Sequence, residues 1–262
     1  MKNLFKCTAV AVAALAGLAG SQVASAASGV TFLIGSDVIS FHGDASYINP
    51  VFDQMANFGS KKLLFVDNWG AAPGSTNYTN GNIAITYMDT SVWNAGASLA
   101  GYSAVYFDSP GTCCSDPGPT LSSGAGTIAA FVAGGGSLAV GNYQGDTFWD
   151  SILGFAGFAG VTSGAGGVLC EDPGVSTPGG LAFGFNPSYS EGCFVHQTYN
   201  PAFWTGKGYF ALQTDGAVGS SHHDDWVTMA TGFTNPAPEP GSIALVGLAL
   251  AAGAAGLKRR KA

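Results

Sequence analysis

In the first half of the chain, short apolar runs alternate with helical patterns, and this alternation leaves few folds open. The apolar runs cover residues 30–34, 63–66, 83–87, 104–107 and 138–140, and helical spacing covers residues 48–58, 122–133 and 147–155. A run that is apolar at consecutive positions has no polar face, so the strand that it forms is buried on both sides. The sequence therefore predicts an α/β fold whose parallel sheet is covered by helices on both faces.

The second half of the chain has a different composition. From residue 157 onward Gly, Pro, Ser and Thr dominate, and helical periodicity disappears. Short apolar pieces at residues 194–196, 209–212 and 227–230 favour strands. We interpret this half as additional β strands and long loops that belong to the same domain.

The N-terminus has the pattern of a secretory signal peptide. Lys2 and Lys6 precede an apolar run over residues 8–20, and small residues Ala24 and Ala26 form an A-x-A cleavage site. A retained membrane helix is the alternative, but the run is short for a bilayer span. We predict that residues 1–26 are a signal peptide that is removed during export.

The C-terminus has a second pattern that is distinct from the rest of the chain. Pro238, Glu239 and Pro240 precede an apolar run over residues 242–257, and the basic residues 258–261 follow it. Sixteen helical residues span about 24 Å, which is short of a hydrocarbon core of roughly 30 Å. Basic residues stay on the cytoplasmic side of a membrane, so the chain before the run lies outside the inner membrane.

This order of a Pro-Glu-Pro tripeptide, an apolar span and the pair Arg259 and Arg260 resembles the PEP-CTERM sorting signal of Gram-negative bacteria. The resemblance implies that exosortase, a membrane transpeptidase, cleaves the chain near the tripeptide and that the inner membrane holds the precursor transiently. It also implies export to the cell surface or matrix in bacteria that make exopolysaccharide. An unprocessed tail anchor is the alternative. The predicted division is a signal peptide (1–26), an exported α/β domain (27–235) and a sorting signal (236–262) with a transmembrane segment (242–257).

The exported domain is strongly acidic. Residues 27–235 contain three lysines and fifteen Asp and Glu residues, which gives a formal charge of −12. Such a domain repels phosphate backbones, so we exclude nucleic acid as a partner.

A glycine-rich stretch over residues 131–145 joins a predicted helix, a strand and a sharp turn. It resembles the class I glutamine amidotransferase-like and flavodoxin-like folds, in which the turn after such a strand carries the nucleophile. Gly141 and Gly145 bracket the turn, and Tyr143 occupies the nucleophile position, where amidotransferases need Cys. A phenol with a pKa near 10 is a poor acyl-transfer nucleophile. We therefore predict no catalytic residue and no cofactor for this domain.

Four cysteines remain after removal of the signal peptide: Cys113, Cys114, Cys170 and Cys193. An exported compartment is oxidising, and an even number of cysteines fits two disulfides. We favour a Cys170–Cys193 bond, since both residues lie in the loop-rich half. Cys113 and Cys114 are then a vicinal bridge or a free reactive pair. A zinc site that includes Cys193 and His196 is the alternative.

The remaining polar candidates are histidines and their acidic neighbours. His42 follows the first predicted strand, where sites of open α/β folds gather. A dense polar cluster consists of His222, His223, Asp224 and Asp225. This cluster is a weak candidate metal site, and the alternative is a solvated turn, so no metal is predicted.

Aromatic residues offer one link to polysaccharide. Trp69, Trp93 and Trp204 fall in predicted loops, where exposed rings could stack on sugars. Packing in the core and against long loops is the favoured interpretation of these rings, because one domain needs large residues to cover its loops. The sequence thus favours a non-catalytic exported surface or matrix protein, with exopolysaccharide as a candidate partner in a biofilm. Two alternatives stay open: a hydrolase of matrix polymers that uses the edge near Tyr143, His42 or His196, and a metal-binding module.

Overall fold

The computed structural model describes residues 29–39, 42–67, 77–108, 124–141, 161–162, 169–190 and 193–231. All five strands predicted for the first half are present. They are β1 (Thr31–Ile34), β2 (Lys62–Asp67), β3 (Ala84–Asp89), β4 (Ala104–Asp108) and β5 (Ser137–Gly141). The predicted segments 1–26, 147–155 and 236–262 lie outside the described residues.

Three helices accompany these strands: α1 (Ala45–Ala56), α2 (Thr90–Asn94) and α3 (Ala125–Ala133). Helix α1 begins at Asp44, whose carboxylate accepts a hydrogen bond from the Ser46 N–H at 2.7 Å. This contact satisfies one of the free N–H groups of the first helical turn. The apolar residues at helical spacing in α1, among them Ile48, Phe52 and Met55, are completely buried.

The second half of the chain contributes six strands and two short helices. The strands are β6 (Val161–Thr162), β7 (Gly174–Ser176), β8 (Ser188–Tyr189), β9 (Thr198–Tyr199), β10 (Tyr209–Asp215) and β11 (Trp226–Thr231). The helices are α4 (Pro178–Phe183) and α5 (Pro201–Thr205). The prediction of a strand over residues 194–196 is wrong. There Val195 makes isolated bridges to Ser36 and Glu171, because backbone groups of two different segments hold this stretch.

One mixed sheet contains all of these strands. Its order is β3-β2-β4-β5-β1-β11-β10-β7-β8, and β9 pairs with β11 and β6. Strands β1 to β5 pair in parallel, and every pair that involves a strand of the second half is antiparallel. The α/β class is therefore present, but the expectation of a parallel sheet holds for the first half alone. The second half extends that sheet because short connections favour antiparallel neighbours.

The flavodoxin-like topology is not confirmed. In flavodoxin the parallel strands stand in the order 2-1-3-4-5. Here β3, β2, β4 and β5 take the places of the first four of these strands, and β1 occupies the place of the fifth. The chain thus fills a similar set of sheet positions in a different sequence order.

Two apolar layers cover the sheet. Helix α1 packs on one face, where Phe52 meets Phe65 and Tyr106. Helices α2 and α3 pack on the other face, where Trp93 contacts Phe107. Burial of side chains of this size stabilises the fold by about 1.5–3 kcal/mol each.

The tryptophans predicted to lie in loops belong to this core. Trp93 lies in α2 and is 2% exposed, and Trp204 lies in α5 and is completely buried. A ring with no exposed face cannot stack on a sugar, so these two residues pack in the core, and only their predicted placement in loops is wrong. Trp69 lies outside the described residues. Within the part of the chain that the structure describes, no helix has the length and apolar character needed to cross a membrane.

Candidate functional site

Four buried aspartates lie at one edge of the sheet. Asp37 follows β1, and Asp67, Asp108 and Asp215 end β2, β4 and β10; each of the four is at most 4% exposed. Strand β10 runs in the same direction as β1 because both are antiparallel to β11. All four carboxyl groups therefore lie at the carboxyl ends of these strands. Buried carboxylates are costly unless they are hydrogen-bonded or paired, which makes this edge the first place to look for function.

Asp67 and Asp108 occupy the point where the chain reverses its direction across the sheet. Strands β2 and β4 are neighbours, with Val66 opposite Phe107, and the chain leaves them toward β3 on one side and β5 on the other. Ligands of open α/β sheets bind outside the carboxyl ends at such a point. The Tyr106 hydroxyl donates a hydrogen bond to Asp108 Oδ1 at 3.2 Å, which lowers the cost of burying this carboxyl group.

A second feature of this edge is an aspartate between two histidines. Asp37 Oδ1 lies 3.3 Å from His42 Nε2, and Asp37 Oδ2 lies 3.0 Å from His196 Nε2. The His196 side chain is completely buried, whereas the His42 side chain is 16% exposed. The structure thus joins both histidines singled out from the sequence through a carboxylate that the sequence analysis had not selected.

The surroundings of His196 restrict where its protons lie. Its Nδ1 is 3.1 Å from the Leu169 carbonyl oxygen, which can accept but not donate a hydrogen bond. Nδ1 therefore carries a hydrogen, and Nε2 faces a carboxylate oxygen. That second contact is attractive when a proton lies between Nε2 and Asp37, as in an imidazolium–carboxylate pair. The three side chains therefore form a continuous histidine–carboxylate–histidine chain at the sheet edge.

A glycine makes the approach of His196 to β1 feasible. The Gly35 carbonyl accepts hydrogen bonds from the His196 and Gln197 N–H groups at 2.8 and 2.9 Å. A Cβ atom on Gly35 would lie 2.1 Å from the Gln197 carbonyl oxygen, far inside van der Waals contact. The absence of a side chain at Gly35 therefore lets the segment after Cys193 lie against the end of β1.

A third group of polar residues surrounds the loop between β10 and β11. The Ser220 hydroxyl lies 2.7 and 2.8 Å from the two Glu171 carboxylate oxygens and donates to them. Burial, together with the hydrogen bond and the negative charge of Glu171, raises the pKa of Asp215 to about 7. Burial also acts to raise the pKa of Glu171, but hydrogen bonds from Asp215 and Ser220, with His222 nearby, bring it below its usual value. Asp215 and Glu171 therefore share a proton, which resides on Asp215.

Asp215 makes the stability of the fold depend on pH. The folded state keeps the Asp215 proton up to about pH 7, whereas an unfolded chain releases it near 3.8. Its stabilising contribution is complete below that lower value and is lost as the pH rises toward 7. We expect the contribution of Asp215 to the free energy of unfolding to fall by roughly 2–4 kcal/mol between pH 4 and pH 7.5, and the lowered pKa of Glu171 offsets part of this fall. Urea unfolding of the wild type and of Asp215→Asn across this range measures the effect, and an equally steep fall in the variant would contradict it.

The four residues of the weak metal candidate do not converge on one point. His222 Nδ1 lies 3.7 Å from Asp225 Oδ2, while His223 Nδ1 faces the Asp215 carbonyl oxygen at 3.2 Å. Asp224 extends into solvent, with 84% of its side chain exposed. Among the residues that the structure describes, no three His, Cys, Asp or Glu side chains are arranged to hold a metal ion.

The structure contains the predicted disulfide between Cys170 and Cys193. It joins the segment before β7 to the segment that carries His196. The adjacent Asp172 carboxylate accepts hydrogen bonds from the Cys193 and Phe194 N–H groups at 3.0 and 3.1 Å. The disulfide and these hydrogen bonds therefore hold Glu171 and His196 on neighbouring segments at the sheet edge. Cys113 and Cys114 lie outside the described residues.

Removal of this disulfide is expected to cost about 3 kcal/mol of unfolding free energy, because the bond closes a loop of 23 residues in the unfolded chain. The double variant Cys170→Ala, Cys193→Ala tests this by urea unfolding. Cys113→Ala, Cys114→Ala is the matched control, since it removes two cysteines and keeps the bond. Equal stability of the two double variants would contradict the prediction.

The turn at residues 142–145, with Tyr143 at its centre, lies outside the described residues. Asp37, Asp67, Asp108 and Asp215 were not predicted as site residues. For Asp67 and Asp108 the signal was present, since they directly end buried apolar runs, where a charged residue is unexpected. We now treat this buried acidic edge as the candidate site.

Comparison with known proteins assigns the C-terminal segment. Residues 236–261 match the PEP-CTERM protein-sorting motif. No curated protein and no solved structure is significantly similar to the chain. The motif marks an exosortase substrate, a membrane-anchored precursor that exosortase processes and that is exported to the cell surface.

Proposed function

We propose that the exported domain is a non-catalytic component of the cell surface or extracellular matrix and that it associates with exopolysaccharide in the biofilm. The sorting motif at residues 236–261 carries this proposal, because it directs the chain to the place where such polymers accumulate. The mature protein begins at Ala27, after the signal peptide, and ends near the Pro-Glu-Pro tripeptide. Exosortase is the processing partner.

The charge of the exported domain indicates which polymers suit it. Residues 27–235 carry three lysines against fifteen acidic residues, a formal charge of −12. At low and moderate salt such a domain repels polyanions and has no electrostatic penalty against neutral chains. Between neutral and anionic polysaccharides, the charge of the domain therefore favours a neutral partner.

Fractionation of host cells tests this association. We expect the protein in the matrix fraction of a wild-type strain and in the culture medium of a strain that makes no exopolysaccharide. A periplasmic protein serves as the control for cell lysis. The same distribution in both strains would contradict association with the polymer.

A hydrolase of matrix polymers is the second candidate, and the arrangement of Asp37 between His42 and His196 favours it. His42 has the more accessible imidazole of the two and would take a proton from a water that attacks the anomeric carbon. The glycosidic C–O bond breaks as the new bond to water forms, and the leaving oxygen takes its proton from solvent. Asp37 would then stabilise the imidazolium that forms, and the buried His196 would fix Asp37 in place. In this account Asp37 and His196 position the base and do not touch the substrate.

The hydrolase candidate has its own test. If it is correct, the protein releases new reducing ends from host exopolysaccharide, and His42→Ala lowers the rate by about 10²–10⁴-fold. His223→Ala is the matched control, because His223 is 43% exposed and lies in the loop after β10. No release of reducing ends by the wild-type protein would exclude this candidate and leave the non-catalytic proposal standing.

A further inference from the structure

A polar cleft of about 600 Å³ lies beside α1, at the opposite edge of the sheet from the buried aspartates. Its walls are the outer face of α1, the loop before β3 and the end of α4. Lys61 and Asn82, which precede β2 and β3, place it at the amino ends of these parallel strands. This volume lies within the range of sites that bind small molecules.

The loop that forms one wall of the cleft is fixed to α1 by side-chain hydrogen bonds. The Asp53 carboxylate accepts from the Tyr78 hydroxyl at 2.5 Å, from Asn80 Nδ2 at 2.6 Å and from Asn82 Nδ2 at 3.0 Å. Asn49 exchanges two hydrogen bonds with Thr79, each of 2.9 Å. These hydrogen bonds preorganise the wall of the cleft, which reduces the conformational entropy lost on ligand binding.

The lining of the cleft offers both donors and acceptors. It contains the side-chain amides of Asn49, Gln54, Asn57, Asn80 and Asn82. Each amide already forms a hydrogen bond within the protein, but an amide has two N–H donors and two oxygen lone pairs, so it keeps capacity for a further bond to a sugar hydroxyl. The charged groups of the lining are Asp53 and Lys61, one of each sign, so the cleft favours neither anions nor cations.

An aromatic ring completes the lining. Phe183, at the end of α4, lines the cleft and is half-buried, with its inner side packed near Phe32 and Phe185. The part of the Phe183 side chain that lines the cleft offers apolar contact area to a ligand. Aromatic rings combine apolar contact area with a fixed orientation, which suits the C–H face of a pyranose.

We propose that this cleft binds a segment of neutral oligosaccharide. The amides provide hydroxyl recognition, the balanced charges remove any advantage for an ionic ligand, and the acidic domain around the cleft repels polyanions. This proposal rests on the proposed function. It assigns sugar recognition to a solvent-exposed cleft, because Trp93 and Trp204 are buried.

Filling the cleft without removing any contact is the sharpest test. Ala182 lines the cleft and is exposed on the short helix α4, so Ala182→Arg adds a long side chain to the space that the sugar would occupy. The matched control is Ala202→Arg. Ala202 is also exposed, on the short helix α5, which likewise begins with a proline, and it does not line the cleft.

The binding measurement uses protein purified from its own host and a calorimetric titration. The probes are the neutral hexasaccharides of β-1,4-glucose, α-1,6-glucose and β-1,4-mannose, with hexagalacturonate as the acidic comparison. We expect binding of at least one neutral hexasaccharide and none of hexagalacturonate. Ala182→Arg should weaken the neutral binding by about tenfold or more, and Ala202→Arg should leave it unchanged.

The outcomes separate this site from the proposed function. Binding of no neutral hexasaccharide, preferred binding of hexagalacturonate, or equal affinity of Ala182→Arg and Ala202→Arg would overturn the cleft as a glycan site. If the protein still follows exopolysaccharide in the fractionation of host cells, the proposed function stands and the site lies elsewhere. Equal melting temperatures of the two arginine variants confirm that the comparison reports binding and not folding.

Discussion

Replacement of Pro238, Glu239 and Pro240 by alanine is expected to abolish processing and to leave the full-length precursor in the inner membrane. The tripeptide lies at the start of the matched sorting motif, directly before the apolar run. Proline lacks a backbone N–H and disfavours the helical conformation of the residue before it, so we expect the tripeptide to suit a cleavage enzyme that acts on non-helical backbone. Loss of the tripeptide removes the Pro-Glu-Pro pattern of the matched motif and with it this preference.

Immunoblots of membrane, surface and medium fractions measure this effect. We expect the ratio of precursor to processed protein to rise at least tenfold. A tenfold change corresponds to about 1.4 kcal/mol in the free energy of recognition by exosortase. Pro236→Ala is the matched control, because it removes a proline and keeps the tripeptide. The double substitution Arg259→Glu, Arg260→Glu should also reduce processing, because basic residues hold the tail on the cytoplasmic side of the membrane. Normal processing of the tripeptide variant would show that another segment directs sorting.

The second large effect is expected from Trp204→Ala, which should lower the free energy of unfolding by about 3–5 kcal/mol. Trp204 is completely buried, and its ring centroid lies 5.9 Å from that of Tyr199, 5.1 Å from Phe203 and 5.0 Å from Tyr209. The substitution leaves a cavity among these rings and removes their edge contacts.

Denaturant unfolding followed by circular dichroism measures this change without relying on the tryptophan signal. Val218→Ala is the control, because Val218 is 93% exposed and its truncation should shift stability by less than about 0.5 kcal/mol. Wild-type stability of Trp204→Ala, combined with a loss of sugar binding, would restore the interpretation of Trp204 as a surface residue that stacks on sugars.

The first half of the fold could be predicted because its signals are local. Each strand is an uninterrupted apolar run, and α1 has apolar residues at helical spacing after the capping residue Asp44. The two short helices of the second half also had local signals that the sequence analysis did not use. Thr177 and Asn200 each precede a proline, and their side chains cap α4 and α5.

Other features could not be predicted because they depend on contacts between distant segments. The place of β1 beside β5 and β11 follows from sheet assembly and not from any property of residues 31–34. The contact of His196 with Asp37 needs the close approach at Gly35, more than 150 residues away in the chain. His42 and His196 were selected for their residue type, and Asp37, which joins them, was visible only once the chain was folded.

Mass spectrometry of the mature protein from a host that carries exosortase tests the central claim most directly. This account predicts a chain that begins at Ala27, lacks the segment after the Pro-Glu-Pro tripeptide and contains the Cys170–Cys193 disulfide. Detection of the intact C-terminal peptide through Ala262 in surface-exposed or released protein would contradict it.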